Sequence, residues 1–187
     1  IYNLYMKSKV WGPIIWYLIH SVAYGVQDDK YFLEHKDYYF KFYNSLRKLI
    51  PCPICRKHFH KIMKNKDLAK CNSKTELIYW TIKIHNKVNK NLKKTQFSIE
   101  ESDNKYKEIQ LKTIINALDI ITYNTQVNTP INSYKIFFES LRVIFPIEAI
   151  KYLYQKGMKK NKIKVFNHNT LLKWYRNLGL YISKNLK

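Results

Sequence analysis

Apolar residues in this chain recur at steps of three and four, and no long alternating stretch interrupts that rhythm. Such spacing puts them on one side of a helix, whereas a strand facing a core needs every second residue. Only 4 Gly and 5 Pro occur in 187 residues, so few positions break a helix. The fold class read from this pattern is all-α. A first helix is expected over about Ser8–Val26, with Trp11, Ile15, Ile19 and Val22 on one side. A second runs from about Tyr31 to Leu49 and stops before Pro51, because a proline disfavours helical backbone at the residue before it. A third opens at Cys52–Pro53, since proline suits the first helical position, and fades in the lysine-rich KIMKNKD. Ser73 followed by Glu76 is a capping-box signature for a fourth helix reaching about Leu92. The polar stretch TQFSIEESDNK, 95–105, reads as a boundary, and further helical patterns follow near 106–123, 132–156 and 168–185. The layout is a four-helix unit, residues 1–98, followed by a smaller helical unit, residues 106–187.

Charge narrows the partners less than its size suggests. The formal net charge is +21, from 34 Lys+Arg against 13 Asp+Glu. That excess fits an anionic partner such as a nucleic acid. AT-rich coding sequence, which enriches Lys, Asn, Ile and Tyr, fits it equally, so nucleic-acid binding is allowed and not required. No apolar run approaches the ~20 residues of a membrane span, and no secretory signal is visible in these residues. Three cysteines cannot all pair within one chain, which excludes a scaffold held by several disulfides.

Two of the three cysteines stand in PCPICRKHF, residues 51–59, at the opening turn of the third helix. Unpaired amide groups and the helix dipole stabilise a thiolate there, and Arg56 and Lys57 add positive charge. Three readings are open. Zinc could take Cys52, Cys55, His58 or His60, and Cys71, within a basic, zinc-stabilised nucleic-acid-binding module. A thioredoxin-like redox pair belongs beside a βαβ pattern, which the helical surroundings oppose. A redox pair beside a flavin suits a helical bundle. No zinc or other metal ligand set is adopted here, because the remaining candidate ligands form no second tight pair.

The helices either side of this pair carry the deciding residues. Trp16 and His20 share a face of the first helix, with Trp11 and Gly12 a turn before; His85 and Asn89 share a face of the fourth. Taken singly, each reads as core packing. Together, three segments are similar to those of the Erv/ALR sulfhydryl oxidases, small FAD-dependent enzymes that make disulfides. They are Gly12 with Trp16 and His20; Cys52-Pro53-Ile54-Cys55 with Phe59 behind; and His85-Asn86-Lys87-Val88-Asn89 followed by Leu92, Lys94 and Phe97. The third matches the pattern H-N-x-V-N-x-x-L-x-K-x-x-F without a gap, and the resemblance covers residues 8–98. Composition and the extra C-terminal unit resemble a large-DNA-virus, mimivirus-like member.

The resemblance implies a four-helix bundle enclosing FAD, with Cys55 as the flavin-proximal sulfur and Cys52 as the one that exchanges with substrate. It implies cofactor contacts from Trp11, Gly12, Trp16, His20, Phe59, Trp80, His85, Asn86, Val88, Asn89, Leu92, Lys94 and Phe97. It implies protein thiol substrates, a thioredoxin-like carrier among the options, electron flow through FAD to O2 with release of H2O2, and a homodimer. Tyr24, Tyr38, Tyr39, Phe40 and Tyr43 could form the dimer face or belong to the core. A viral member would work in a cytoplasmic viral factory or the virion. The sequence departs from the family pattern at Lys93, where many relatives have Gly, and at Thr95, where they often have Pro. Cys71 has no cysteine left to pair with, and no second, shuttle cysteine pair is present in these residues.

Overall fold

The computed structural model describes residues 8–63, 67–123, 129–164 and 167–186. Among them the chain forms nine α-helices and one short 3₁₀ turn, with no strand. The first four helices are α1 (Ser8–Tyr24), α2 (Asp29–Leu49), α3 (Pro53–Met63) and α4 (Lys74–Asn91), with the 3₁₀ turn Asp67–Lys70 between α3 and α4. Then come α5 (Ile99–Tyr106), α6 (Leu111–Tyr123), α7 (Ile131–Ile144), α8 (Glu148–Lys160) and α9 (His168–Asn185). No helix of the described residues is long and apolar enough to cross a membrane.

Local chemistry sets these boundaries. Asp28 caps α2 by accepting the Tyr31 N–H at 2.7 Å, and α2 ends at Ile50, held extended before Pro51. Ser73 caps α4, accepting the Glu76 N–H at 3.1 Å. The other half of that capping box does not form, because the Glu76 carboxylate takes the Asn72 N–H at 2.6 Å instead. Two sequence expectations change. The stretch 95–105 is not only a boundary: Ser98 and Glu101 cap each other's backbone N–H groups at 3.0 and 2.7 Å and start α5. The pattern over 132–156 is two helices, because Pro146 forces Phe145 out of helical backbone (ψ 131°).

α1 packs on α4, and α3 bridges α2 and α4, giving the expected four-helix unit. The later helices close over its outside. α6 lies against α1, α7 runs along α2, and α8 and α9 pack on α7, on α6 and on each other. One hydrophobic core runs through both parts of the chain. The Phe42 and Phe137 rings stack at 5.3 Å across the α2–α7 interface, and Phe138 meets Trp174 of α9 edge-on at 4.9 Å. Polar bonds tie the same interfaces: the Tyr31 hydroxyl donates to the Val143 carbonyl at 2.6 Å, and the Gln110 N–H donates to the Tyr17 hydroxyl at 2.8 Å. Between residues 134 and 154, Tyr134, Phe137, Phe138, Leu141, Ile144, Phe145, Ile150 and Tyr154 are therefore buried, against α2 and among their own neighbours, whereas Ile136 and Tyr152 are exposed. Of the residues considered for a dimer face, Tyr39 and Tyr43 are in the chain's own core. Tyr24 donates to Ser102 or Asp103 of α5, Tyr38 is half-buried, and Phe40 is exposed.

Gly25 lets the α1–α2 turn touch the α7–α8 junction. A Cβ there would lie 2.5 Å from both the Cα and the carbonyl oxygen of Pro146, backbone atoms that cannot rotate aside. We expect Gly25→Ala to destabilise the fold by about 1–3 kcal/mol, read as a lowered urea midpoint with an unchanged slope.

Candidate functional site

α1, α3, α4 and the loop after α4 enclose a cavity of about 690 Å³. A space of that size suits a cofactor-sized ligand. α3 presents Cys55 and Phe59 to it, one turn apart on the same face. Cys55 is disulfide-bonded to Cys52, with their Cα atoms 5.1 Å apart. Cys52 sits at the mouth of α3, where its sulfur accepts the Cys55 N–H at 3.2 Å; it is half-buried and lies outside the cavity wall. The two sulfurs thus face different surroundings, although only one helical turn separates them.

α1 and α4 supply the flat surfaces. Trp16 stacks on His85 with ring centroids 4.0 Å apart and planes within 8°, and both rings line the cavity. Behind them a chain of hydrogen bonds runs into the core. The Thr81 hydroxyl donates to the Ile78 carbonyl at 2.7 Å, so its oxygen accepts from His20 Nδ1 at 2.9 Å. A neutral His20 then accepts at Nε2 from His85 Nδ1, 2.9 Å away. This relay fixes the tautomer of His85 and leaves its Nε2 as an acceptor. Both imidazoles are held neutral at physiological pH. Burial, followed by the Lys105 and Lys94 charges, lowers His85 to about 4. Burial, followed by His85 and Lys105, holds His20 well below the usual imidazole value.

The loop that closes the cavity is built by the ungapped motif. The Asn86 side chain bonds the Phe97 backbone twice, donating to its carbonyl at 2.9 Å and accepting its N–H at 2.8 Å. Asn89 donates to the Thr95 carbonyl at 3.0 Å. α4 ends in a Schellman turn, with the Lys94 N–H on the Asn89 carbonyl at 2.9 Å and the Lys93 N–H on the Lys90 carbonyl at 3.2 Å. That turn requires a left-handed residue, and Lys93 supplies it at φ 54°. Lys93, a departure from the Gly that the resemblance implies, thus stands where the backbone itself asks for Gly. The same loop brings Lys93 and Lys94 to the cavity, and α1 and α5 add Lys9 and Lys105. No Asp or Glu is among the described wall residues.

Nine of the thirteen sequence-selected cofactor residues line this cavity: Trp11, Gly12, Trp16, Phe59, His85, Val88, Asn89, Leu92 and Lys94. Four stand behind its wall. His20 orients His85; Asn86 and Phe97 form the loop clamp, with the Phe97 ring 5.3 Å from His85; Trp80 packs edge-on against Tyr43 at 4.8 Å in the core. The basic wall residues that sequence reading did not select are Lys9, His58, Lys93 and Lys105. Lys105 was findable, because the Ser98–Glu101 capping box marks the short helix that carries it. The zinc reading finds no ligand set: Cys52 and Cys55 are bonded to each other, and no group of three His, Cys, Asp or Glu among the described residues is placed to hold a metal ion. Cys71 is a buried free thiol that donates to the Asp67 or Glu76 carbonyl, and burial, with Glu76, raises it to about 11.

A helical bundle holding a Cys-x-x-Cys disulfide against a ring-lined cavity narrows the relatives sharply, and comparison with known proteins decides among them. The model of the Erv1 / Alr family matches residues 13–107. The chain belongs to the Erv1/Alr family. The match reaches past residue 98 to take in α5, the helix that brings Lys105 to the cavity. The chain is 35% identical over 104 residues to the FAD-linked sulfhydryl oxidase of African swine fever virus (isolate Pig/Kenya/KEN-50/1950), covering 56% of this chain and 86% of that protein. It is 35% identical over 86 residues to the probable FAD-linked sulfhydryl oxidase R368 of Acanthamoeba polyphaga mimivirus, covering 45% and 59%. It is 33% identical over 99 residues to the mitochondrial FAD-linked sulfhydryl oxidase ERV1 of Saccharomyces cerevisiae, covering 52% and 50%. No solved structure matches.

The cavity of this Erv1/Alr chain fits FAD on its own chemistry. The Trp16–His85 pair offers ring faces, and four lysines without a carboxylate suit a pyrophosphate. Trp11 also lines the wall, and its indole N–H is buried with no protein acceptor, a donor that a bound ligand can satisfy.

Two outcomes follow. Lys93→Gly should stabilise the protein by about 1 kcal/mol in urea unfolding, since it relieves the left-handed backbone at that position. Stability should also fall as pH drops from about 6.5 towards 4. Both native imidazoles titrate below their unfolded value, so the unfolded chain binds more protons across that window. His85 alone accounts for about 2–3 kcal/mol of the loss. Urea midpoints measured at half-unit pH steps should slope less in His85→Gln than in the native chain.

Proposed function

We propose that Cys52 and Cys55 are the redox-active pair of an FAD-dependent thiol oxidase, with Cys52 exchanging with substrate and Cys55 facing the cofactor. The activity itself follows from the family: Erv1/Alr relatives are FAD-linked sulfhydryl oxidases, and this chain is an oxidoreductase of that kind, acting on protein thiols. The observation that supports the assignment of roles is the placement of the two sulfurs, Cys55 in the cavity wall and Cys52 outside it.

The chain's own residues prepare each stage. A substrate thiolate attacks Cys52 Sγ, forming a mixed disulfide and releasing Cys55 as a thiolate. The opening turn of α3 sets the positive end of the helix dipole at that negative charge. The second substrate thiolate displaces Cys52 and leaves the substrate oxidised. Cys55 Sγ is then a reduced sulfur held at the cavity. FAD, when bound, supplies the two-electron acceptor, with O2 as the terminal oxidant and H2O2 as product. Trp11, Gly12, Trp16, His85, Val88, Asn89 and Leu92 would hold it, with the lysines, Lys94 among them, on its phosphates. His20, Asn86 and Phe97 keep that wall in shape, and Phe59 backs Cys55 on α3.

Three further points belong to this reading. The oxidase unit, residues 1–98 extended by α5, carries the chemistry, and residues 106–187 buttress it through α6 and α7. A homodimer would use a face other than the α2 surface that α7 covers, and a carrier of the thioredoxin type is one candidate electron donor. Relatives from African swine fever virus and mimivirus support work in the cytoplasmic factory or the particle of a large DNA virus.

Purified protein reconstituted with FAD should be yellow and should consume O2 with dithiothreitol. Cys55→Ala should keep the flavin absorbance and lose turnover by roughly 10³-fold or more. A colourless product after reconstitution would end this reading.

A further inference from the structure

α3 has a second side, and it leads away from the cavity. Arg56 and His60 follow Cys52 at intervals of four, so the three share a face, while Cys55 and Phe59 share the one turned to the cavity. The Arg56 N–H donates to the Cys52 carbonyl at 2.9 Å, which fixes that register at the exchanging cysteine. On this side α3 and the end of α2 border a cleft of about 300 Å³ lined by Arg47, Lys48, Arg56, Lys57 and His60. Thr129 and Pro130, at the entry to α7, close it. No Asp or Glu is among its described lining residues.

The cleft is fixed in place as well as charged. Arg47 donates through Nε to His60 Nδ1 and through Nη1 to Asn44 Oδ1, both at 3.0 Å, so its guanidinium is held between α2 and α3. Arg56 Nη1 reaches the Lys48 carbonyl at 3.4 Å, a second tie between the same two helices. Lys48 and Lys57 are exposed. Positive charge is common on a chain of net +21, so charge alone would single out nothing. What singles out this cleft is its place on the face of α3 that carries the exchanging sulfur.

We infer that this cleft selects substrates: dithiol segments flanked by acidic residues dock there and present a thiol to Cys52. This rests on the oxidase reading above. The carboxylates meet Arg56, Lys57, Lys48 and Arg47, and the same field favours the attacking thiolate over the thiol. The exchange is balanced within the complex. The substrate loses two thiol protons and two electrons as its disulfide forms, and Cys52–Cys55 takes up the electrons as its own bond breaks. Thr129 and Pro130 give the C-terminal helices a part in substrate choice, since the cleft is incomplete without them.

The test compares two synthetic peptides, each with two cysteines separated by two residues, one flanked by Glu and one by Lys, against dithiothreitol. O2 consumption by the full FAD-loaded chain is the readout. The acidic peptide should be oxidised with kcat/KM about tenfold above the basic one at low salt, and the preference should fade at high salt. Lys48→Glu/Lys57→Glu should cut the acidic-to-basic ratio about five- to tenfold, whereas Lys173→Glu, exposed on α9 and not among the cleft's lining residues, should leave it. If the double variant loses its flavin absorbance, Lys57→Gln carries the comparison instead. Dithiothreitol oxidation with no preference between peptides overturns this inference and leaves the oxidase reading standing. A preference that survives the cleft variants, or falls equally in Lys173→Glu, overturns it as well. No dithiothreitol oxidation at all removes the oxidase reading, and this inference with it.

Discussion

The bond between His20 and His85 joins α1 to α4, and the site is arranged around that join. It crosses a buried interface where an unmatched imidazole nitrogen would be costly, so both rings must be neutral and correctly tautomeric. Thr81 settles the direction of the relay by giving its own proton to the Ile78 carbonyl. With His85 fixed from behind, Trp16 can lie flat on it, and the pair forms a rigid wall of the cavity. The cavity then has a shape before any ligand arrives, which lowers the ordering cost of binding.

The second constraint is the pitch of α3. Cys55 follows Cys52 by three positions, about one turn, enough to put one sulfur in the wall and the other outside it while they remain within bonding distance. An enzyme that relays electrons between a bulky protein and an enclosed cofactor needs this separation, because one surface cannot meet both. The helix provides it with a single turn. Pro53, at the first helical position, starts that turn where it is needed.

Helices beyond the family region change the exterior of this unit more than its interior. α6 and α7 cover α1 and α2, and the core continues across the junction without a break. Gly25 against Pro146 shows how closely the two parts meet. The buttress restrains the helices that carry Trp16, His20 and the end of α2. It also brings Thr129 and Pro130 to the side of α3 that carries Arg56 and His60.

The residues alone determined the all-helical class, four of the helix starts, and the motifs that mark the family. Periodicity, prolines and caps are local properties, and the ungapped His85–Phe97 pattern needs no folding to be read. Two features were passed over: α5, whose capping box lies inside a polar stretch that reads as a boundary, and the break before Pro146, masked by a continuous apolar pattern. Tertiary structure decided what neighbours decide. It showed that Asn86 and Phe97 clamp a loop, and that Trp80 packs on Tyr43 in the core. It gave Lys93 a left-handed backbone, and it brought Lys9 and Lys105 from distant helices to one cavity. Contacts between residues far apart in the chain depend on how helices cross, and no local spacing encodes that crossing.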